Sequence, residues 1–298
     1  MRKEQSNKFR GTGVAIVTPF KKSGAIDFDA YEKIIDFTIK NGIDFIVALG
    51  TTGEASTLSK QEKRTLIEFS VEKIKRRVPL VVGIGGNNTS ELVLSIHATP
   101  FKGVDAILSV CPYYNKPQQE GLYQHFRIVA EASPVPVILY TVPSRTSSNL
   151  TASTTLRLAN DFNNIIGIKE ASGNFDQIYQ LLKHKPEGFI VLSGDDGLTL
   201  PLIAAGCDGV ISVVANAFPK EFSQMVRFSL EGDFQNARYI HFQLIELINS
   251  LFADGSPAGI KAALSIKKLC AENLRLPLVP VNKEVRTLIK KLIDQTEN

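Results

Sequence analysis

Short apolar runs rich in β-branched residues recur along the chain: GVAIVTPF from Gly13, FIVALG from Phe45, PLVVGIG from Pro79, AILSVCP from Ala106, PVILYTVP from Pro136, IIGIKEAS from Ile165, FIVLSGDD from Phe189 and GVISVVAN from Gly209. Successive starts lie roughly 20 to 34 residues apart, the spacing of a strand followed by a helix. The segments between them carry helix-start signals. Asp27 precedes an apolar face that includes Tyr31, Ile34 and Ile35, Ser59 and Glu62 have the spacing of a capping box, and Asn88 to Glu91 opens a further amphipathic stretch.

Near-continuous apolar strands alternating with amphipathic helices predict a parallel sheet covered on its outer face, because strands buried on both sides cannot alternate with polar residues. Eight such units predict an α/β fold, a (β/α)8 TIM barrel, with a doubly wound open sheet as the alternative. After the eighth strand the pattern predicts helix from Lys220, over 234–252, over 260–272 and over 283–294. The expected division is a catalytic barrel over residues 1–232 and a C-terminal helical domain over 233–298, a natural place for subunit contacts.

Composition narrows the function classes. The chain has 298 residues, 44% hydrophobic and 21% charged, with 34 basic and 30 acidic residues giving a net charge of +4. The charges are dispersed, which argues against nucleic acid and an anionic membrane surface as partners. Cys111, Cys207 and Cys270 are far apart and lack zinc spacing with histidine, so they read as reduced, small apolar residues. The polar start MRKEQSNKFR leads into an apolar stretch too short for a signal or a span, and a cytoplasmic location is the expectation.

In a barrel of this kind the chemistry gathers at the C-terminal ends of the strands. There the chain places Gly50-Thr51-Thr52-Gly53-Glu54, Pro112-Tyr113-Tyr114-Asn115, Tyr140 followed by Pro143-Ser144-Arg145-Thr146, Lys169, and Ser193-Gly194-Asp195-Asp196. Lys169 shares alternation parity with Ile165 and Gly167, so if that parity faces inward its amine enters the barrel mouth. Loss of hydration there favours the neutral amine, which can condense with a ketone to a Schiff base. The alternative is a lysine that snorkels from the strand end and pairs with Glu170 or another acid. Imine chemistry moves several protons, and Tyr140 is a candidate acid/base, with the hydroxyls of Thr51 and Tyr114 as relays. Arg145 offers a guanidinium fork to a carboxylate, or a surface ion pair. GIGGNNTS reads as a tight turn rather than a phosphate cradle, and Asp195 and Asp196 read as helix caps rather than metal ligands. No metal is expected.

Together, GTTGE at 50–54, PYYNKPQQEGLYQHF at 112–126, YTVPSRT at 140–146, GIKEASGN at 167–174 and LSGDD at 192–196 make the chain resemble the dihydrodipicolinate synthases along nearly its whole length. The resemblance implies that Lys169 forms an imine with pyruvate, whose enamine attacks L-aspartate-4-semialdehyde in the diaminopimelate branch of lysine biosynthesis. The imine with the substrate itself takes the place of a cofactor. It further implies Tyr140 as acid/base, Thr51 and Tyr114 as its proton relay, Arg145 as a carboxylate clamp, and Thr52, Gly194 and Ile211 as pyruvate-site positions. Tyr114 is expected to reach into a neighbouring subunit's site within a homotetramer built as a dimer of dimers. Thr141 and ADGSPAG at 253–259 depart from the commonest pattern, leaving loop and interface details open.

The candidate effector residues are Lys60, Lys63, Asn87, Glu91 and Tyr113. Lysine-inhibited relatives commonly carry histidines where this chain has Lys60 and Lys63. A cation at Lys63 repels a cationic effector, so weak or absent inhibition by lysine is the expectation. Two other readings stay open at this point: a sister aldolase such as an N-acetylneuraminate lyase, and a non-catalytic barrel that binds a keto acid.

Overall fold

The structure is a computed structural model that describes residues 2–296. Residues 1, 297 and 298, the outer ends of the two segments expected from the sequence, lie outside the described residues. Eight strands, β1 Gly11–Ala15, β2 Phe45–Ala48, β3 Leu80–Gly83, β4 Ala106–Val110, β5 Val137–Thr141, β6 Ile165–Glu170, β7 Ile190–Ser193 and β8 Gly209–Ser212, pair in sequence order and close into one parallel barrel. Each begins within two residues of the apolar run that predicted it.

The helices are α1 Arg2–Asn7, α2 Phe28–Lys40, α3 Lys60–Ile74, α4 Thr89–His97, α5 Gln119–Ala132, α6 Pro143–Thr146, α7 Ala152–Asp161, α8 Phe175–His184, α9 Thr199–Ala204, α10 Pro219–Glu231, α11 Phe234–Phe252, α12 Ala258–Ile266 and α13 Lys283–Thr296. The expected caps form. Asp27 accepts from the Ala30 N–H, Ser59 and Glu62 make the reciprocal capping box, and Asn88 accepts from the N–H groups of Ser90 and Glu91. Asx and Ser side chains thus satisfy N–H groups that a helix start leaves orphaned.

The apolar core has two layers. Phe45, Val47, Val81, Ile138 and Leu192 fill the barrel, closed below by Phe9, whose ring meets Phe45 edge-on at 5.6 Å. A larger layer packs the outer strand faces against the helices. Among the described residues no helix is long and apolar enough to cross a membrane.

Two expectations need correction. The helix expected over 260–272 ends at Ile266, and Lys268 adopts a left-handed φ of 57°. The backbone beyond it has other partners: the Asn273 carbonyl accepts from Lys261 Nζ and the Arg275 N–H donates to Glu54, so neither group can join a helical ladder. The second correction concerns β6. Val137 pairs with Ile165 but Ile138 pairs with Gly167, so Ile166 is an extra residue, a β-bulge. Ile165 therefore packs in the outer layer and Ile166 inside the barrel, and simple alternation from Ile165 fails.

Candidate active site

Past the bulge, Lys169 lies in register between Tyr140 on β5 and Leu192 on β7, both inward-facing. Neighbours in register share a face, so Lys169 points into the barrel mouth. The residue is 6% exposed, and its Nζ stands 4.5 Å from the centroid of the Tyr140 ring. Among the described residues Nζ makes no hydrogen bond and no ion pair.

Glu170 is not its partner. One carboxylate oxygen accepts from the Ser172 N–H at 2.6 Å and the other from Gln177 Nε2 at 2.7 Å. Gln177 accepts in turn from Asn149 Nδ2, and Thr141 Oγ1 accepts from the Leu150 N–H. Burial raises the Glu170 carboxyl above the usual carboxylate range, with the Ser172 and Gln177 bonds acting the other way. This network occupies the outer side of β5 and β6, and Thr141 is one of its members.

The loop after β7 approaches Lys169 through Gly194, whose N–H donates to the Glu170 carbonyl at 2.7 Å. A Cβ at Gly194 would lie 2.5 Å from the Ala171 Cβ and 3.1 Å from the Lys169 Cε, so only glycine fits. The next two residues divide their work. Asp195 turns the chain before α9 by accepting from the N–H groups of Gly197 and Leu198. Asp196 does not cap that helix as expected. It is buried and crosses to the turn that follows β8, where its Oδ2 accepts from the Val213 and Val214 N–H groups, leaving Oδ1 without a hydrogen bond. Burial pushes the Asp196 carboxyl up to about 6, opposed by Ser212, the two N–H groups and the Lys169 charge.

A cavity of about 560 Å³ opens over this end of the barrel, lined among others by Thr51, Tyr113, Tyr140, Arg145, Lys60 and Lys63. Arg145 rides on α6, which Pro143 starts, and makes no ion pair among the described residues. Its guanidinium is available to a carboxylate. Thr51 is exposed in the turn after β2 and Thr52 is buried beneath it, while Ile211 is buried on β8 inside the barrel.

Tyr114 is not brought to the cavity. It is 88% exposed with a φ of 72°, on a loop held by Asn115 Nδ2 donating to the Asn87 carbonyl and Asn87 Nδ2 donating to the Tyr113 carbonyl. Of the candidate effector residues, Lys60, Lys63 and Tyr113 line the cavity; Lys60 also pairs with Glu91 at 3.9 Å, Asn87 bonds the Tyr113 carbonyl, and burial, then the Lys60 charge, lowers the half-buried Lys63 ammonium. Two of the GIGGNNTS glycines allow close packing: a Cβ at Gly83 would fall 2.2 Å from the Leu49 carbonyl oxygen and one at Gly85 would fall 2.6 Å from a Val110 side-chain methyl, whereas Gly86 faces open space. The cysteines are free, and burial pushes the thiols of Cys111 and Cys207 up to about 12, far from thiolate chemistry.

The sequence reading passed over Glu54. Its carboxylate is buried against Lys261 of α12, and the only signal was an acid at the end of GTTGE in a stretch otherwise read for its threonines.

Comparisons with known proteins agree along the whole chain. Residues 8–296 match the model of the dihydrodipicolinate synthetase family. The chain is similar to the 4-hydroxy-tetrahydrodipicolinate synthases of Azobacteroides pseudotrichonymphae, at 52% identity over 95% of this chain and 96% of the relative, and of Parabacteroides distasonis, at 48% over 95% and 97%. Its fold superposes on the crystal structure of dihydrodipicolinate synthase from Aquifex aeolicus with a TM-score of 0.94 and 41% identity, covering 97% of this chain and 98% of the other. With a family match over nearly its full length and close relatives at about half identity, the chain belongs to the dihydrodipicolinate synthetase family.

Proposed function

We propose that this chain condenses pyruvate with L-aspartate-4-semialdehyde to 4-hydroxytetrahydrodipicolinate, with Lys169 as the covalent nucleophile. The observation that carries the reading is a buried amine with no acceptor, held against the Tyr140 ring. A lysine placed for stability finds a carboxylate; one left unpaired is available for a bond with substrate.

The amine lone pair attacks the pyruvate carbonyl carbon, and water leaves to give an iminium ion. Loss of a methyl proton then yields the enamine, whose carbon forms a bond to the semialdehyde carbon. Attack of the semialdehyde's own amine at the imine carbon closes the ring and frees Lys169. The imine is the electron sink, so the proposed mechanism needs no further cofactor.

Tyr140 is the proposed proton carrier, since its ring faces both Nζ and the cavity. Thr51 relays protons to it, and Thr52, Gly194 and Ile211 bound the pyruvate site. Arg145, unpaired at the cavity wall, clamps the semialdehyde carboxylate, a contact that a long sugar acid would not require. Tyr114 completes the relay in a neighbouring subunit, which makes the working unit at least a dimer and, in this reading, a dimer of dimers in the cytoplasm.

The test is borohydride reduction with pyruvate, followed by peptide mass spectrometry. Pyruvate-dependent mass added at Lys169 is expected. Folded protein that gains none refutes the mechanism and favours a keto-acid-binding barrel. Product analysis with the semialdehyde then fixes the second substrate.

A further inference from the structure

The loop that carries Thr51 and Thr52 is held by the far end of the chain. Gly53 N–H donates back to Gly50, Glu54 N–H donates to Thr51, and two non-glycine residues, Leu49 and Glu54, stand at left-handed φ values of 57° and 51°. Such residues cost about 1 kcal/mol or more each and persist only where the surroundings fix them. At Glu54 the surroundings are explicit. One carboxylate oxygen meets Lys261 Nζ, and the other accepts from the Arg275 N–H at 3.1 Å.

Both members of the Glu54–Lys261 pair are fully buried, 207 residues apart in sequence. Lys261 also donates to the Asn273 carbonyl at 2.9 Å and lies over the Phe20 ring at 4.3 Å. The Arg275 guanidinium bonds the Thr57 carbonyl and Glu62, the same glutamate that closes the capping box of α3. Arg275 therefore holds the exit of the threonine loop while its backbone holds Glu54.

We propose that Glu54 and Lys261 are positioning residues that set the Thr51–Thr52 loop for pyruvate, so that the C-terminal helices are a working part of the active site. This rests on the reading that Thr51 and Thr52 border the pyruvate site. Neither residue touches substrate. Their effect runs through the backbone: a carboxylate fixed from two directions holds the left-handed residue that ends the loop, and displacement of that residue moves both hydroxyls.

The experiment measures imine trapping by borohydride across a pyruvate series, with kcat and KM, in Lys261→Met, Glu54→Gln and a control, Lys185→Met. The control removes the Lys185–Asp208 ion pair, at 2.6 Å, which lies at the opposite end of the barrel where Asp208 also accepts from the Val191 N–H. Expected is a ~10- to 100-fold fall in kcat/KM and a matching rise in half-saturating pyruvate for trapping in Lys261→Met and Glu54→Gln. Lys185→Met loses melting temperature with its half-saturation unchanged. If Lys261→Met does not fold, the isosteric Glu54→Gln decides alone. Half-saturation within twofold of the unmodified protein in a folded Glu54→Gln or Lys261→Met overturns the proposal, as does an equal rise in the control. Absence of trapping in the unmodified protein refutes the imine reading itself and is distinct from either result.

Discussion

Lys169 and Lys261 are both buried in apolar surroundings, and each lies over an aromatic ring, Tyr140 at 4.5 Å and Phe20 at 4.3 Å. Their polar partners differ. Lys261 closes on the Glu54 carboxylate and the Asn273 carbonyl, whereas Lys169 has no acceptor among the described residues. Burial lowers the Lys261 ammonium, with Glu54 acting the other way, so the pair is retained by mutual compensation. Lys169 has only the Tyr140 ring and the charge of Asp196 nearby, with no hydrogen-bond acceptor among the described residues, and on the proposed mechanism that opening is what a substrate carbonyl uses. On that mechanism, burial without an acceptor rather than burial alone marks the reactive lysine.

The contrast is tested most strongly at the lysines themselves. Lys169→Ala is expected to lower turnover by on the order of 10⁴-fold or more, as loss of a covalent nucleophile does. Its urea-unfolding stability should stay close to that of the unmodified protein, because no buried partner is orphaned. A loss of several kcal/mol there would erase the distinction.

Lys261→Met should do the opposite in unfolding experiments. It leaves Glu54 buried and uncompensated, at a cost of about 3–5 kcal/mol, and Glu54→Gln/Lys261→Met should recover most of that loss. If the double variant is no more stable than the single one, the pair is not the unit described here.

A smaller effect sharpens the Lys169 side. Gly194→Ala places a methyl against Ala171 and the Lys169 Cε, and a displaced amine is expected to lose about 10²-fold in trapping rate. Its folding cost should be about 1–3 kcal/mol.

A third lysine completes the set. Lys63 is half-buried in the cavity lining, with Lys60 beside it. Turnover measured with added L-lysine should show little or no inhibition at sub-millimolar effector, because two cations there oppose a third. Strong inhibition would refute that expectation.

Much of this was legible in the sequence because it depends on local pattern. Apolar runs place all eight strands, and Asp27, Ser59 and Asn88 place helix starts, since a cap and its helix are neighbours in the chain. Lys169 was legible as an ammonium at the end of an apolar strand. Its facing was only partly so: Gly167 and Lys169 do point inward, but Ile165, counted with them, points out, because a bulge leaves no trace in alternation until pairing is seen. Nothing at position 54 announces position 261, so the ion pair between them was out of reach. Asp196 was misread for a related reason, as its partners Val213 and Val214 lie in the turn that follows β8 rather than in α9.

The extra residue at Ile166 bears on anyone transplanting this chemistry into another scaffold. Deleting Ile166 would close the register, with Ile165 still opposite Val137 and Gly167 still opposite Ile138, and would leave Lys169 opposite Tyr140. Removing Ile168 instead would turn the amine to the helix layer and carry Glu170 into the barrel mouth, because a slip of one residue exchanges the two faces. A graft of GIKEASGN onto a regular strand must therefore seat its glycine opposite an inward residue, as Gly167 sits opposite Ile138 here.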